Sequence, residues 1–395
     1  MTMNAETRVL KTIEHKEPDR VPACESDFSS VTIAKHYLGP KASTYGSVGS
    51  IGKLYLIPGI NRIMKIIMSR TVTGAAPFKP MAKLFRAVKL DLFSAFIELR
   101  PWKFIKGGFI DNFGRINKIE TYPGDDSIIV GYHGGYFNTM EDYENFPGHP
   151  DPNDPGFLKS FLELKKYQEE ELNNEVFIIP AIYGLMEATW EGFGIETFSR
   201  ILAKPKQAKK LFDDRGKCTL ELTKIYAENE AKAVWVYDDY GYKTGMFMSP
   251  RNYRKYVIPW MKQICEAAHK QDCKLILHSC GDIEPIFGDL VEAGVDAFNP
   301  IEATTANSEY DIFKLNERFG ARTTFIGNIA PQMLSTGTKE DIREYSKKLI
   351  RELAPGGGFI FASGHSINPA VPLENFQILL DVREKYGYYP INVPD

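Results

Sequence analysis

The sequence predicts an α/β fold, a (β/α)8 barrel, and three observations carry that expectation. From about residue 175 onward, short apolar runs alternate with longer amphipathic ones. Alternation at that spacing marks parallel βαβ units. An earlier run, Arg20–Cys24, supplies a further strand ahead of them. The runs also end in polar, chemically capable residues, as barrel strands do at their catalytic face.

The expected strands are Val176–Ile182, Ala233–Tyr237, Lys274–His278, Ala297–Pro300, Thr323–Ile326 and Gly358–Phe361. Each is apolar and short, as a strand buried on both faces must be. Between and after them lie helical patterns over Gly194–Leu202, Pro205–Glu230, Pro250–Lys270, Ile283–Ala293, Ser308–Phe319, Lys339–Leu353 and Pro372–Tyr386. With Arg20–Cys24 this makes seven strands, and the eighth is expected between residues 105 and 136. Gly356-Gly357-Gly358 stands between a helix and a strand. It reads as a turn at the non-catalytic end, not as a phosphate loop.

Residues 1–395 read as one barrel domain with an insertion at 41–100. Apolar residues recur with helical spacing in Asn61–Ser69 and Met81–Phe96, so the insertion reads as amphipathic helices capping or flanking the mouth. From Lys53 to Lys89 it carries eight basic residues and no acidic one, enough to steer an acidic protein or a carboxylated substrate. The bland alternative is a solvated basic face. Residues 104–137 read as a β-rich excursion, with turns at Asp111-Asn112-Phe113-Gly114 and Pro123-Gly124-Asp125-Asp126. Both the helical insertion and this excursion are expected to leave the barrel after strand 1.

A formal net charge of −3 argues against a general nucleic-acid binder. The five cysteines are spread widely, which is no disulfide framework and fits a reducing, cytoplasmic setting. Met1–Lys16 lacks the apolar centre of a signal peptide, and no run of 18 apolar residues occurs, so no leader and no transmembrane helix are expected.

The strand ends list the candidate chemistry. They are Cys24-Glu25-Ser26-Asp27, then Tyr183, Met186 and Glu187, then Tyr237-Asp238-Asp239-Tyr240, His278-Ser279-Cys280, Asn299-Pro300-Ile301-Glu302, Gly327-Asn328 and Ser363-Gly364-His365-Ser366. In Leu275–Gly281, His278 and Cys280 stand at i and i+2, so imidazole and thiol face the same way where the strand stops. With His365 they make a three-ligand N/S set for Zn2+, leaving a fourth position for substrate or water. Asp238 and Asp239 are the candidate catalytic carboxylates, one facing in and one out, to bind metal, orient a ligand histidine or hold substrate. Glu25, Asp27, Tyr183, Glu187, Trp190, Tyr240 and Asn328 are the candidate substrate contacts. Trp190, Phe193, Tyr240 and Tyr242 would wall an aromatic pocket, or else pack beneath a loop.

These residues, in this order, resemble the uroporphyrinogen decarboxylase superfamily, and more closely its cobalamin-dependent methyltransferase branch. The resemblance rests on Asp19-Arg20-Val21-Pro22, Asp238-Asp239-Tyr240-Gly241, Met248-Ser249-Pro250, His278-Ser279-Cys280-Gly281, Ala293–Pro300, Gly327-Asn328, Pro355–Phe359, Ser363–Ile367 and Val371–Asn375. It covers residues 5–40 and about 105–390 and implies the same barrel. The decarboxylases carry an arginine-rich motif after the first strand. Here Ala23–Phe28 has no arginine and two acids, which would repel a substrate with many carboxylates. The methyltransferase branch implies zinc held by the His-x-Cys pair and a later cysteine, and at that later position this chain has His365. One thiolate fewer makes the zinc a stronger Lewis acid, suited to an ether oxygen.

The expected function is therefore a zinc-dependent methyltransferase. It would move a methyl group from a methoxylated substrate, such as an aryl methyl ether, to the Co(I) corrinoid of a partner protein. No corrinoid-binding Asp-x-His-x-x-Gly pattern is seen, so the corrinoid protein is expected to dock over the mouth. A homodimer is among the expected assemblies. The rivals are another donor or acceptor (a methylamine, methanol or a thiol), a uroporphyrinogen decarboxylase-like lyase, and a non-catalytic binding protein.

Overall fold

The computed structural model describes residues 3–42, 75–123 and 127–394. Seven parallel strands form one curled sheet in the order Phe359–Ser363, Thr324–Ile329, Ala297–Asn299, Lys274–His278, Ala233–Tyr237, Phe177–Tyr183 and Leu92–Ala95. Ala23 bridges Phe361 on one edge and Cys24 bridges Leu92 on the other, both in parallel. Those two residues fill the eighth position, and the (β/α)8 barrel closes. The strands are apolar throughout because helices or the barrel interior cover both faces. Val234, Val236, Leu275 and Leu277 pack outward into the main core. Their alternates Trp235, Tyr237 and Ile276 fill the interior with Phe177, Ile179 and Ile326. Helix Ala5–Ile13 plugs the lower end through Ala5, Val9 and Ile13.

The second strand corrects an expectation. It is Leu92–Ala95, not a segment within 105–136. The helical spacing of Met81–Phe96 stops with helix Lys79–Ala87. Lys89 then turns at φ +57°, and all four residues of Leu92–Ala95 are buried beside Phe177–Pro180. Residues 79–95 are thus a helix and strand of the barrel itself. Residues 43–74, most of the expected helical insertion, lie outside the described residues. Arg86 of the basic stretch is tied to Glu175 at 2.6 Å, and the Lys79 amine sits 4.9 Å above the Tyr167 ring.

The β-rich excursion follows this second strand rather than the first. It is a four-stranded antiparallel meander of Pro101–Ile105, Gly108–Asp111, Arg115–Thr121 and Ile128–Gly135. The expected turn at Asp111–Gly114 forms: Asp111 Oδ1 accepts from the backbone N–H of Phe113 and Arg115, and Gly114 takes φ +79°. The second expected turn falls on residues 124–126, outside the described residues. The meander lies against helix Glu187–Phe193, where Phe137 N–H donates to Gly192 O and Tyr132 Oη to Glu191 O, each at 2.9 Å.

Pro250–Lys270 divides into helices Pro250–Tyr256 and Ile258–His269, because Pro259 starts a new first turn. Gly356, Gly357 and Gly358 all adopt positive φ, 77° to 86°, in the turn that brings helix Lys339–Leu353 into strand Phe359–Ser363. A side chain at Gly357 would meet the backbone of Lys16 at 2.8 Å. No described helix is long and apolar enough to cross a membrane.

Candidate metal centre

The chemistry gathers where strands Ala233–Tyr237, Lys274–His278 and Ala297–Asn299 end side by side. His278 pairs in register with Tyr237 on one side and Asn299 on the other. Just past these ends, Asp239, His278 and Cys280 each offer a donor atom, and the three atoms lie within 4.8 Å of one another. Cys280 Sγ is 3.5 Å from His278 Nε2, and Asp239 Oδ1 is 3.6 Å from the same nitrogen. Zinc bonds of about 2.3 Å to sulfur and about 2.0 Å to nitrogen, at a tetrahedral angle, put those two donors about 3.5 Å apart. The spacing therefore suits one shared ion.

The surroundings prepare each donor. Asn299 Oδ1 is 2.7 Å from His278 Nδ1. That acceptor holds the proton on Nδ1 and leaves the Nε2 lone pair facing Asp239 and Cys280. The Tyr237 ring lies nearly parallel to the imidazole at 4.6 Å and fixes its plane. Burial pushes the His278 pKa down, which keeps the ring neutral and able to bind metal. The Cys280 backbone N–H donates to Asp239 Oδ1 at 2.7 Å, so the carboxylate and the thiol are positioned together. Burial, then the charges of Asp239, Glu302 and Glu187, push the Cys280 thiol well up. A cation here would reverse that effect and hold the thiolate. Gly281, at φ +80°, lets the chain turn away beneath Gly241, where a Cβ would come within 2.2 Å of backbone.

The adjacent carboxylates have different tasks. Asp239 shares its direction with Tyr237 and faces the donors. Asp238 is fully buried and accepts from the backbone N–H of Leu185, Met186 and Glu187 at 2.7, 2.7 and 2.8 Å. It anchors the loop after strand Phe177–Tyr183, and Gly184 must lack a side chain because a Cβ would lie 2.3 Å from Asp238 Cγ. Burial pushes Asp238 up to about 7, against those three donors.

The other expected residues are dispersed around the mouth. His365 is exposed, its Nδ1 is 3.0 Å from Ser366 Oγ, and it stands outside the three-donor group. Its carbonyl accepts from Ser26 Oγ at 2.8 Å and Ser363 Oγ at 3.0 Å. Glu25 is buried against Ser363, and burial pushes it up to about 8. Asp27 pairs with Ser366 in a short parallel contact. Glu187 leads helix Glu187–Phe193 and contacts the Asp239 N–H at 3.5 Å. The Arg115 guanidinium covers the Tyr183 ring at 4.2 Å and is itself bound by Asp111 and Glu191. Asn328 is buried, donating to Ile301 O and accepting from Tyr345 Oη, both at 2.8 Å, so its amide braces the scaffold.

The expected aromatic wall does not form from the residues named for it. Tyr240 is fully buried on Tyr253, and Phe193 is buried against Phe137. Trp190 packs between Phe247 and Tyr132 beneath the meander, and Tyr242 is 63% exposed. The ring beside the metal group is Tyr237, which lies on His278, and Phe96 packs on Tyr237 and Tyr183 in turn. The sequence alone does not single out Phe96, because it points to residues 105–136 for the second strand. The sequence marks Asn299 only as a strand end, and its register opposite His278 reveals its role.

Comparison with known proteins agrees with this architecture. The sequence profile described as uroporphyrinogen decarboxylase (URO-D) matches residues 132–386. A methylcobamide:CoM methyltransferase MtbA of Methanosarcina acetivorans is 26% identical over 258 residues, 63% of this chain and 69% of that one. A uroporphyrinogen decarboxylase of Legionella pneumophila is 26% identical over 249 residues, 58% of this chain and 64% of that one. The chain thus spans about two thirds of the length of these curated relatives. Among solved structures, a methyltransferase from Methanosarcina mazei shares the fold with a TM-score of 0.63, covering 97% of this chain and 99% of that one at 17% identity.

Proposed function

The chain belongs to the uroporphyrinogen decarboxylase family, and from that premise we propose that it is a zinc-dependent methyltransferase working with a corrinoid protein. The observation that carries the proposal is the Asp239–His278–Cys280 group at the C-terminal mouth. With Asp239 and Cys280 ionised, the donor set offsets the charge of one Zn2+ and leaves a fourth position open. Asp239 replaces His365 as third ligand in this proposal, because its carboxylate already lies 3.6 Å from His278 Nε2. A bound zinc ion would stabilise negative charge developing on a substrate oxygen.

The methyl donor in this reading is a methoxylated compound, an aryl methyl ether. Its O–CH3 bond breaks with both electrons remaining on oxygen, and the methyl carbon takes the electron pair of a Co(I) corrinoid carried by a separate protein over the mouth. Within the chain, Asn299 and Tyr237 hold the His278 ring, Asp239 positions Cys280, and Asp238 fixes the loop carrying Glu187. A carboxylate and only one thiolate make a harder, more electrophilic site than a thiolate-rich one, which favours oxygen. The cytoplasmic setting read from the cysteines belongs to the same proposal.

The match to methylcobamide:CoM methyltransferases favours a second reading, methyl transfer from a methylated corrinoid to a thiol. A decarboxylase reading is weaker: Glu187, Asp239 and Glu302 all bear on the site, and Arg115 is engaged by Asp111 and Glu191. The test is zinc content per chain, then methyl transfer from methoxylated aromatics to cob(I)alamin followed by absorbance. One zinc per chain with aryl ether turnover supports the proposal. Turnover of methylcobalamin with a thiol, and none of the ethers, selects the second reading. Activity in metal-free protein removes both.

A further inference from the structure

The barrel interior is filled from its lower end upward, and its top layer differs from the rest. Leu92, Ser94 and Phe96 alternate onto one face of the chain by the strand period of two. Leu92 is buried among the interior side chains. Ser94 Oγ is 2.8 Å from Tyr237 Oη. Phe96 is partly exposed and rests on this interior core, its ring 4.3 Å from Tyr237 and 5.3 Å from Tyr183. Tyr237 in turn lies on His278. A continuous run of packed rings therefore leads from the donor His278 through Tyr237 to Phe96. Beside the donors stand the carboxylates of Glu187 and Glu302, which bear on Cys280.

We propose that Phe96 is the residue that determines substrate class, a platform for an uncharged aromatic ring whose methoxy oxygen reaches the metal. The proposal deepens the function given above and rests on it for the methyl ether, but not for the ring. Ring against ring prefers offset or edge-to-face packing, which a planar substrate can adopt and a saturated one cannot. The flanking carboxylates set the charge: a carboxylated ring would meet like charge, an uncharged ring would not.

The test uses equilibrium binding, which needs no methyl transfer. Zinc-loaded protein is titrated calorimetrically with anisole, cyclohexyl methyl ether and 4-methoxybenzoate. The wild type is expected to bind anisole about two- to tenfold more tightly than the saturated ether, the range that aromatic pairing supplies, and more tightly than the benzoate. Phe96→Leu should erase the preference for anisole over the saturated ether while keeping zinc content and thermal melting, and Phe96→Tyr should restore it. Equal binding of the two ethers by the wild type, or an unchanged preference in Phe96→Leu, overturns the proposal. Binding that prefers the ring without demethylation by cob(I)alamin supports the platform and overturns the function proposed above, so the two failures are distinct.

Discussion

Asn299 Oδ1 stands 2.7 Å from His278 Nδ1 across two adjacent parallel strands. The contact decides which imidazole nitrogen carries the proton and so which one is free for metal. Loss of such a partner typically costs 10–100-fold in metal affinity. Asn299→Ala should weaken zinc binding by about that factor in competition with a chromogenic chelator, and Asn299→Asp, which keeps the acceptor, should recover most of it. Unchanged affinity in the alanine variant would show that the ring is held by Tyr237 alone.

Cys280→Ala should lose most of its zinc and its methyl-transfer activity while the far-ultraviolet dichroism stays that of the wild type. The thiol lies past the end of strand Lys274–His278, outside the buried core. Metal analysis checks this: full zinc occupancy in the variant would remove Cys280 from the donor set.

The two neighbouring aspartates should separate cleanly. Asp239→Asn should reduce zinc affinity and leave stability nearly unchanged. Asp238→Asn should do the reverse, costing about 1–3 kcal/mol in chemical denaturation, because three buried backbone N–H groups lose a charged acceptor. Equal effects of both variants on zinc would contradict the division of labour between them.

Glu25 gives a pH-dependent prediction with a definite sign. Its carboxyl sits above the ordinary 4.5 at about 8 because burial disfavours the charge. The native state therefore keeps a proton that the unfolded chain gives up near pH 4.5. The stabilisation is fully present below that pH and is lost as pH rises through about 8. Glu25→Gln imitates the protonated form, so its melting temperature should gain on the wild type steadily between pH 5 and pH 8. A difference that stays constant over a series of melts would show that Glu25 is ionised in the folded protein.

Much of this architecture is legible in the sequence for a plain reason. Ala233–Tyr237, and Lys274–His278 after its leading lysine, are apolar until their last residue, so burial on both faces and the position of the chemistry are written together. Leu92–Ala95 is not legible in the same way. It holds only four residues, one of them serine, and the apolar positions Met81, Leu84, Phe85 and Val88 before it keep a helical period. Its identity is settled by pairing with Phe177–Pro180, far along the chain. Phe96, which follows that strand, is equally hidden in the sequence. The proposal of Asp239 rather than His365 as third ligand has a different origin, since side-chain direction past a strand end depends on loops. Asp239 is held by Cys280 N–H, whereas the His365 ring is engaged by Ser366 and its carbonyl by Ser26 and Ser363.

The closure of the barrel has a consequence for biosynthesis. Ala23 leaves the ribosome long before its neighbour Phe361, and Asp27–Phe28 must wait for Ser366–Ile367. Until that late segment is translated, Ala23 has an open edge and the interior around Trp235 and Ile326 lacks a wall. A nascent chain of this length exposes that edge and apolar lining together, the combination that invites wrong pairing. Yield of soluble protein should therefore depend on how quickly the stretch of message leading to Phe361–Ile367 is read.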